Sequence, residues 1–235
     1  MSAMHNMHAS NTLATSLLVI CLFSTNTAVF ANEAAASQAL TSAISHAPET
    51  KQLFKVDQNG ERLSEESQLW ECVEDSDTAL FWQKRDPTTA LHGHDSYNWY
   101  QPKHENSGQP RSNPDLFGID ASCYGYRADD PSSYCNTDAF IKRVNQSNYC
   151  GFSDWRLPSS DELLSLVDPT LAGRPYQSAI DLRYFPFKEA FAYWTDTVNA
   201  DGVVTTVIQD EKLLTNSERN DHLLVRLVRG LFKGE

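Results

Sequence analysis

The sequence lacks three features that define large classes of protein. No run of about 18 or more apolar residues occurs, so there is no ordinary transmembrane helix. Basic residues are scarce, since 19 Lys and Arg stand against 31 Asp and Glu and give a formal net charge of −12. General binding to nucleic acid, or adhesion to anionic membranes, needs a basic surface, so neither partner is expected. No Cys-x-x-Cys spacing occurs, which argues against structural zinc.

The N-terminal segment has the pattern of a secretory signal peptide. Leu13–Phe23 form an apolar run that is too short to span a bilayer but fits the hydrophobic region of a signal. Small side chains at Val29 and Ala31 place the cleavage after Ala31. Residues 1–31 are therefore predicted to be a signal peptide, and the chain to be exported as a periplasmic or secreted protein. A buried helix is the alternative interpretation of the apolar run.

The remaining chain divides into a tether and a folded domain. Residues 32–52 are rich in Ala, Ser and Thr and show no sustained period, so a flexible tether is predicted there. Hydrophobic residues make up 40% of the sequence and aromatic residues 11%, which is enough to build a core. We therefore expect one folded domain over residues 53–235.

Short strands are predicted near both ends of this domain. On the N-terminal side they cover Leu69–Val73 and Ala79–Trp82, and the Asn59-Gly60 turn signal predicts a small hairpin before them. Three more strands are predicted near the C terminus. They are Ala192–Thr197, Val203–Gln209 and Leu223–Val228, and in the last one alternate residues point to opposite sides.

Two helices are predicted between these groups of strands. The first covers Thr137–Gln146, with Asn136 or Thr137 as its cap. The second begins at a capping box in which Ser159 caps the helix and Glu162 reaches back, and it ends at Asp168-Pro169. Helices in the middle with strands at both ends indicate an α+β domain whose terminal strands pair.

Four cysteines follow the predicted signal peptide, and in an exported chain they indicate two disulfides. Cys135 and Cys150 flank the first predicted helix, which is about 15 Å long, whereas bonded Cα atoms lie within about 7 Å. The favoured pairs are Cys123–Cys135 and Cys72–Cys150. The first pair would staple the irregular region 86–135, which is longer than an ordinary connection. Cys72–Cys135 with Cys123–Cys150 is the alternative.

Several short motifs occur in an order that is typical of one family. They include Trp70-Glu71-Cys72-Val73, Thr78-Ala79-Leu80-Phe81-Trp82, Ser153-Asp154-Trp155-Arg156-Leu157-Pro158 and Val225-Arg226-Leu227-Val228-Arg229-Gly230. On these motifs the chain resembles the Lcl C-terminal domain family, a domain of unknown function in exported bacterial proteins that is named for a collagen-like adhesin. The resemblance implies a C-type lectin-like fold, with a twisted antiparallel sheet, two helices and long disulfide-stapled loops.

The chain also departs from this family. The adhesin is linked to sulfated glycans, but no Gly-x-y repeat occurs here, and the net charge argues against carrying over a polyanionic ligand. Ala79 stands where the family usually has Gly, so a backbone with positive φ is not expected there.

The motif residues themselves are predicted to be structural. We expect Trp155 to fill the core and Arg156 to fork onto a carboxylate or onto backbone carbonyls. Arg226 and Arg229 alternate with apolar residues in the last strand, and Asp154 belongs to the same motif. No Gly-x-Ser-x-Gly nucleophile elbow occurs, so no catalytic residue is assigned and the protein is not expected to be an enzyme.

The candidate ligand-binding residues are four aromatic residues of the irregular region and one acid. The acid is Asp196, and the triplet Trp194-Thr195-Asp196 resembles the Trp-Asn-Asp triplet that supplies calcium ligands in sugar-binding C-type lectins. Its acidic companion triplet is absent, because Gln101-Pro102-Lys103 carries a cation instead. No metal or cofactor is therefore predicted, with calcium as the alternative. The five candidate residues are Tyr97, Trp99, Tyr124, Tyr126 and Asp196.

Two functional hypotheses follow. The first is a non-catalytic binding module that recognises a glycan or a cell-surface protein at the cell envelope or outside the cell, in keeping with a role in adhesion. The second is a structural or oligomerising envelope domain without a small ligand. Exposed tyrosine and tryptophan rings would favour the first hypothesis, because sugar rings stack on such side chains.

Overall fold

The computed structural model describes residues 51–85, 95–110, 123–174, 178–187 and 191–232. The predicted signal peptide and almost all of the predicted tether lie outside these residues, as do parts of the irregular region 86–135. Within them the chain forms an α+β domain with two antiparallel sheets, two α-helices and two disulfides.

The first sheet joins the two ends of the domain. Its strands are β1 (Leu53–Val56), β2 (Cys72–Asp75), β3 (Leu80–Gln83) and β7 (Val228–Arg229), in the order β1-β2-β3-β7. The pairing of β3 with β7 confirms that strands from both ends of the domain meet. At the Asn59-Gly60 turn, Gly60 has φ 87°, and Val56 forms a bridge to Arg62.

The second sheet contains β4 (Ala192–Val198), β5 (Val204–Ile208) and β6 (Leu213–Ser217), in that order. Strand β6 was not predicted, because it is short and mostly exposed and carries only two apolar residues. The resemblance implied one sheet, whereas the described residues form two.

The strand at Leu69–Val73 was predicted too early in the chain. Strand β2 begins at Cys72 and ends at Asp75, inside the polar run Glu74–Asp77. Asp75 is accommodated at the end of this strand because its buried carboxylate accepts hydrogen bonds from Lys51 and from the amides of Asp77 and Thr78. The last strand was predicted too long. Residues before Val228 bridge singly to other segments, Leu223 to Tyr97 and Leu224 to Tyr193, instead of continuing one ladder.

Both predicted helices are confirmed. Helix α1 covers Thr137–Gln146, and the side chain of Asn136 caps it by accepting a 2.7 Å hydrogen bond from the amide of Ala139. Helix α2 covers Ser160–Ser165 and begins with the predicted capping box between Ser159 and Glu162, but it ends before the predicted stop at Asp168-Pro169. Each helix therefore satisfies its first free amides with its own local side chains.

The segment 223–228 lies between two hydrophobic clusters. Leu224 and Val228 belong to the first cluster, with Trp82, Leu163 and Tyr193 among its members. Val225 and Leu227 belong to the second, with Trp99, Phe140 and Trp155, and Leu223 packs against it. This is the alternation that the sequence predicts, and the segment therefore packs against both hydrophobic clusters, one on each side.

One expectation about the backbone was wrong. Ala79 adopts φ 60° in the turn between β2 and β3, although a positive φ was not expected for Ala at this position. The turn requires a left-handed residue, and Ala has the smallest side chain after Gly that can occupy it. Gly230 lies against the same turn, since a Cβ built on it would be 2.7 Å from the carbonyl oxygen of Ala79.

The disulfides join the pairs that were favoured from the sequence. Cys72–Cys150 ties β2 to the turn at Tyr149–Gly151, with 6.5 Å between the Cα atoms. Cys123–Cys135 closes the loop that precedes α1, with 5.4 Å between the Cα atoms. All four cysteines are buried.

Candidate functional site

The side chains of the motif around Asp154 form ion pairs and core contacts. Arg156 forks onto the buried carboxylate of Glu162 through two hydrogen bonds of 2.7 and 2.6 Å, and it also donates to the carbonyl oxygen of Gly230. The hydrogen bonds that Arg156 donates to Glu162 raise the pKa of Arg156. The same carboxylate accepts the amide of Ser159, so one acid links the motif to the start of α2. This geometry supports a structural role for Arg156.

The neighbouring residues are held in a similar way. Trp155 is buried, and its indole nitrogen donates to the carbonyl oxygen of Tyr149 at 2.9 Å. Asp154 pairs with Arg229 at 2.7 and 3.1 Å, and these hydrogen bonds lower the pKa of Asp154. The guanidinium of Arg229 lies 4.0 Å from the centre of the Phe152 ring. The paired charges line an open cavity of about 450 Å³ beside Gly230.

Arg226 is buried completely. Its Nη1 donates to the carbonyl oxygens of Gln83 and Lys84 at 3.0 and 3.2 Å. Its guanidinium carbon lies 4.7 Å from the ring centre of Phe185 and 5.6 Å from that of Tyr193. Burial lowers the pKa of Arg226. The side chain thus joins the end of β3 to the C-terminal segment.

Two of the candidate ligand-binding residues do not lie on the surface. Tyr97 is 3% exposed and stacks on Phe140 with 4.5 Å between ring centres. Trp99 is 0% exposed, and its indole nitrogen donates to the carbonyl oxygen of Thr195. Assigning these rings to a ligand was therefore wrong. Tyr97 and Trp99 belong to the second hydrophobic cluster. Their contacts there are with residues distant in the chain, so the local sequence pattern did not predict their burial.

The other two candidate tyrosines are accessible. Tyr124 is 69% exposed at the start of the disulfide-closed loop, where its amide donates to Asp95. Tyr126 is half-buried, and its ring centre lies 6.1 Å from that of Tyr134. Of the four predicted ligand-binding aromatic residues, Tyr124 is therefore exposed to solvent and Tyr126 is partly exposed.

Asp196 has cationic and imidazole neighbours. Lys103 Nζ lies 2.6 Å from one carboxylate oxygen, and His104 Nε2 lies 3.0 Å from the other. A calcium ion needs several free oxygen ligands, but both oxygens of this acid are already engaged. Among the residues that the structure describes, no group of three or more His, Cys, Asp or Glu side chains could hold a metal ion.

A groove of about 370 Å³ lies between α1, the turn at Pro131–Ser133 and the segment 100–110. We call it the tyrosine–proline groove, after the rings that line it. Polar side chains of α1 line it as well, including Asp138, Lys142, Arg143 and Gln146. The rings are Tyr100, Tyr134, Pro102, Pro110 and Pro131.

Side chains of α1 hold the residues that line the tyrosine–proline groove by hydrogen bonds to their backbone groups. Arg143 donates from Nη1 to the carbonyl oxygens of Ser132 and Tyr134 at 2.7 and 3.1 Å, which fixes the turn to α1. The hydroxyl of Thr137 accepts the amide of Tyr100 and donates to its carbonyl oxygen. The Cys123–Cys135 disulfide lies directly beside Tyr134 in the chain. Both tyrosines are therefore anchored through their backbones, and the Tyr134 hydroxyl in addition donates to the carbonyl oxygen of Ala128.

Helix α1 brings charges of both signs to the tyrosine–proline groove, one negative at Asp138 and two positive at Lys142 and Arg143. Lys142 pairs with Asp138 one helical turn away, at 2.7 Å, and the Lys142 side chain is 65% exposed. The Lys142 ammonium can donate to a hydroxyl-bearing ligand, and the Asp138 carboxylate can accept from one. Sequence reasoning did not place Tyr100 or Tyr134 in a ligand site, because only the tertiary contacts of Thr137 and Arg143 bring the two rings together.

The comparisons with known proteins point to a domain family. The family model described as the Lcl C-terminal domain matches residues 71–229, which is more than half of the 235-residue chain. No curated protein and no solved structure matches the chain. In the described part of the chain, no helix is both long and apolar enough to cross a bilayer. The matched residues include the ion pairs, both disulfides and the tyrosine–proline groove described above, and the chain belongs to the Lcl C-terminal domain family.

Proposed function

We propose that this domain is a non-catalytic binding module that recognises a glycan through the tyrosine–proline groove. The observation that carries the proposal is the combination of two half-buried tyrosine rings with a polar helix face that bears charges of both signs in one concave site. Small-ligand sites are concave and mostly apolar, with a few polar groups that orient the ligand. A sugar fits this description because its C–H face packs on rings while its hydroxyls take hydrogen bonds.

The size of the groove and the net charge of the whole chain support a neutral sugar. A volume of about 370 Å³ lies at the lower end of the range for ligand pockets, which suits one or two sugar units. Asp138 can accept hydrogen bonds from hydroxyls, and Lys142 and Gln146 can donate them. A polyanion would instead meet a protein with a net charge of −12.

A binding role fits the groove better than catalysis does. Among the described residues, the side chains that line the tyrosine–proline groove include no His or Cys, and the one acid there, Asp138, is paired with Lys142. General acid–base chemistry needs a group whose proton can be exchanged in contact with the substrate. We propose no cofactor and no calcium, because the carboxylate of Asp196 is occupied by Lys103 and His104.

The proposal extends to fold and location. We propose a C-type lectin-like fold, supported by the antiparallel sheets, the two helices and the meeting of strands from both ends of the domain. We also propose export to the periplasm or outside the cell. Two buried disulfides support export, because disulfides persist in oxidising compartments.

A glycan array probed with the purified protein tests the proposed function. We expect saturable binding that is lost in Tyr134→Ala and Tyr100→Ala and kept in Tyr124→Ala, whose exposed ring lies outside the groove. Thermal melts of the three variants confirm that each is folded. Loss of binding in Tyr124→Ala alone would move the site to the disulfide-closed loop. No saturable binding to any sugar would favour the alternative, a structural or oligomerising domain without a small ligand.

A further inference from the structure

Strand β6 presents one edge of the second sheet. It pairs along its full length with β5, from Ile208 opposite Leu213 to Val204 opposite Ser217. No other strand of the described residues pairs with β6. Leu213 and Leu214 are 44% and 48% exposed. In the described part of the chain, the outer edge of β6 therefore has no strand partner, and the leucine side chains on the two faces of this strand are accessible.

This edge lacks the features that usually prevent pairing with another chain. Exposed edge strands are commonly protected by a charged residue, a proline or a bulge. Strand β6 reads Leu-Leu-Thr-Asn-Ser, without charge or proline, and its register with β5 is unbroken. Its position is fixed by the Thr206 hydroxyl, which lies 2.6 Å from that of Thr215. An unprotected edge of this kind can add a further strand.

We propose that β6 pairs with β6 of a second copy of this chain, antiparallel about a two-fold axis at Thr215. In this register Leu213 faces Ser217 of the second copy, and Leu214 faces Asn216 of the second copy. The two copies of Leu214 are diagonal neighbours, which lie within reach of each other across antiparallel strands. Pairing thus covers apolar side chains that are exposed in the single copy.

The residues that flank β6 favour this partner and this register. Lys212 precedes the strand and Glu218 follows it, and both are exposed. Lys212 ends the turn before β6 with φ 51°, so it lies just outside the ladder. With the axis at Thr215, the Lys212 end of each copy meets the Glu218 end of the other, which brings opposite charges together at both ends of the ladder. A parallel arrangement would instead place Lys212 against Lys212 and Glu218 against Glu218. Charge complementarity therefore selects the antiparallel homodimer.

The interface is small, so the dimer should depend on concentration. Five residues from each copy form the ladder, and interfaces below about 1,200 Å² usually belong to weak or transient complexes. A dimer of binding modules would present two grooves at once and would gain avidity for a multivalent surface.

Sedimentation equilibrium over a wide concentration range tests the proposal on the purified protein. We expect a reversible monomer–dimer equilibrium whose dissociation constant rises on the order of tenfold in Lys212→Glu and in Glu218→Lys, because each single variant turns two attractive pairs into two repulsive ones. The double variant, Lys212→Glu with Glu218→Lys, restores the pairs with reversed sign and keeps the wild-type net charge. It should return the dissociation constant to near the wild-type value.

Glu61→Lys serves as a control, since it makes the same charge change as Glu218→Lys at an exposed position between β1 and β2. It should leave the dissociation constant within about twofold of wild type. A monomer at every concentration would overturn the proposal. A dimer that ignores both single reversals, or that the double variant does not restore, would overturn it equally, because the copies would then meet through another face.

Discussion

Replacing Arg226 with Ala should destabilise the folded domain while leaving the proposed ligand site intact. The side chain is 0% exposed, and Nη1 donates to two backbone carbonyl oxygens at the end of β3. It also lies over the Phe185 ring. Arg226 does not line the tyrosine–proline groove, so the substitution separates fold stability from ligand contact.

Three contributions decide the size of the effect. Each buried carbonyl that loses a donor costs about 1–3 kcal/mol. Truncating a long buried side chain to Ala leaves a cavity that costs about 2–5 kcal/mol. Burial of the guanidinium opposes the charged form, as its lowered pKa indicates, so removing the charge returns part of this loss. We therefore expect a net loss of about 3 kcal/mol in the free energy of unfolding, which lowers Tm by roughly 6–12 °C in a domain of this size.

Thermal and guanidinium melts under oxidising conditions measure this loss, with Arg226→Met as the matched control. Met refills most of the volume but donates no hydrogen bond, so its loss should be smaller than that of Ala and still measurable. Equal losses in the two variants would show that the hydrogen bonds, not the cavity, dominate. An Arg226→Ala protein that melts like wild type would refute the structural role of Arg226. If that protein also lost ligand binding, Arg226 would belong to the ligand site instead.

Two further predictions concern the disulfides and pH. The Cys72–Cys150 bridge spans 78 residues and Cys123–Cys135 spans 12, so loop entropy predicts losses of about 4.5 and about 3 kcal/mol when each pair is replaced by Ala. Chemical denaturation of the two double variants would contradict this if the shorter bridge proved the more stabilising. The pKa of Asp154 is lowered in the folded state, so its contribution to stability is present above its unfolded pKa and is lost as pH falls through the lower, folded one. The stability difference between wild type and Asp154→Asn should therefore shrink below about pH 4, and a difference that grows on acidification would count against the ion pair.

The sequence determined the features whose physical causes are local. The cap at Asn136 and the capping box at Ser159 depend on residues at most three positions apart, and both helices begin where these residues predict. The alternation in 223–228 depends on the period of an extended chain, so it predicted which side chains enter each half of the core. The disulfide pairing could be favoured because the helix between Cys135 and Cys150 limits which cysteines can meet.

The tertiary structure alone decided which aromatic residues reach the surface. Tyr97, Trp99, Tyr100 and Tyr134 are equally good candidates by residue type, yet two of them fill the core and two line the groove. The difference comes from partners distant in the chain, such as the carbonyl of Thr195, which is 96 residues from Trp99. The partners of Asp196 escaped prediction for the same reason, since Lys103 and His104 are more than 90 residues away in the chain. Burial and pairing are properties of surfaces that meet only after the chain has folded, and a one-dimensional pattern does not contain the distances that settle them.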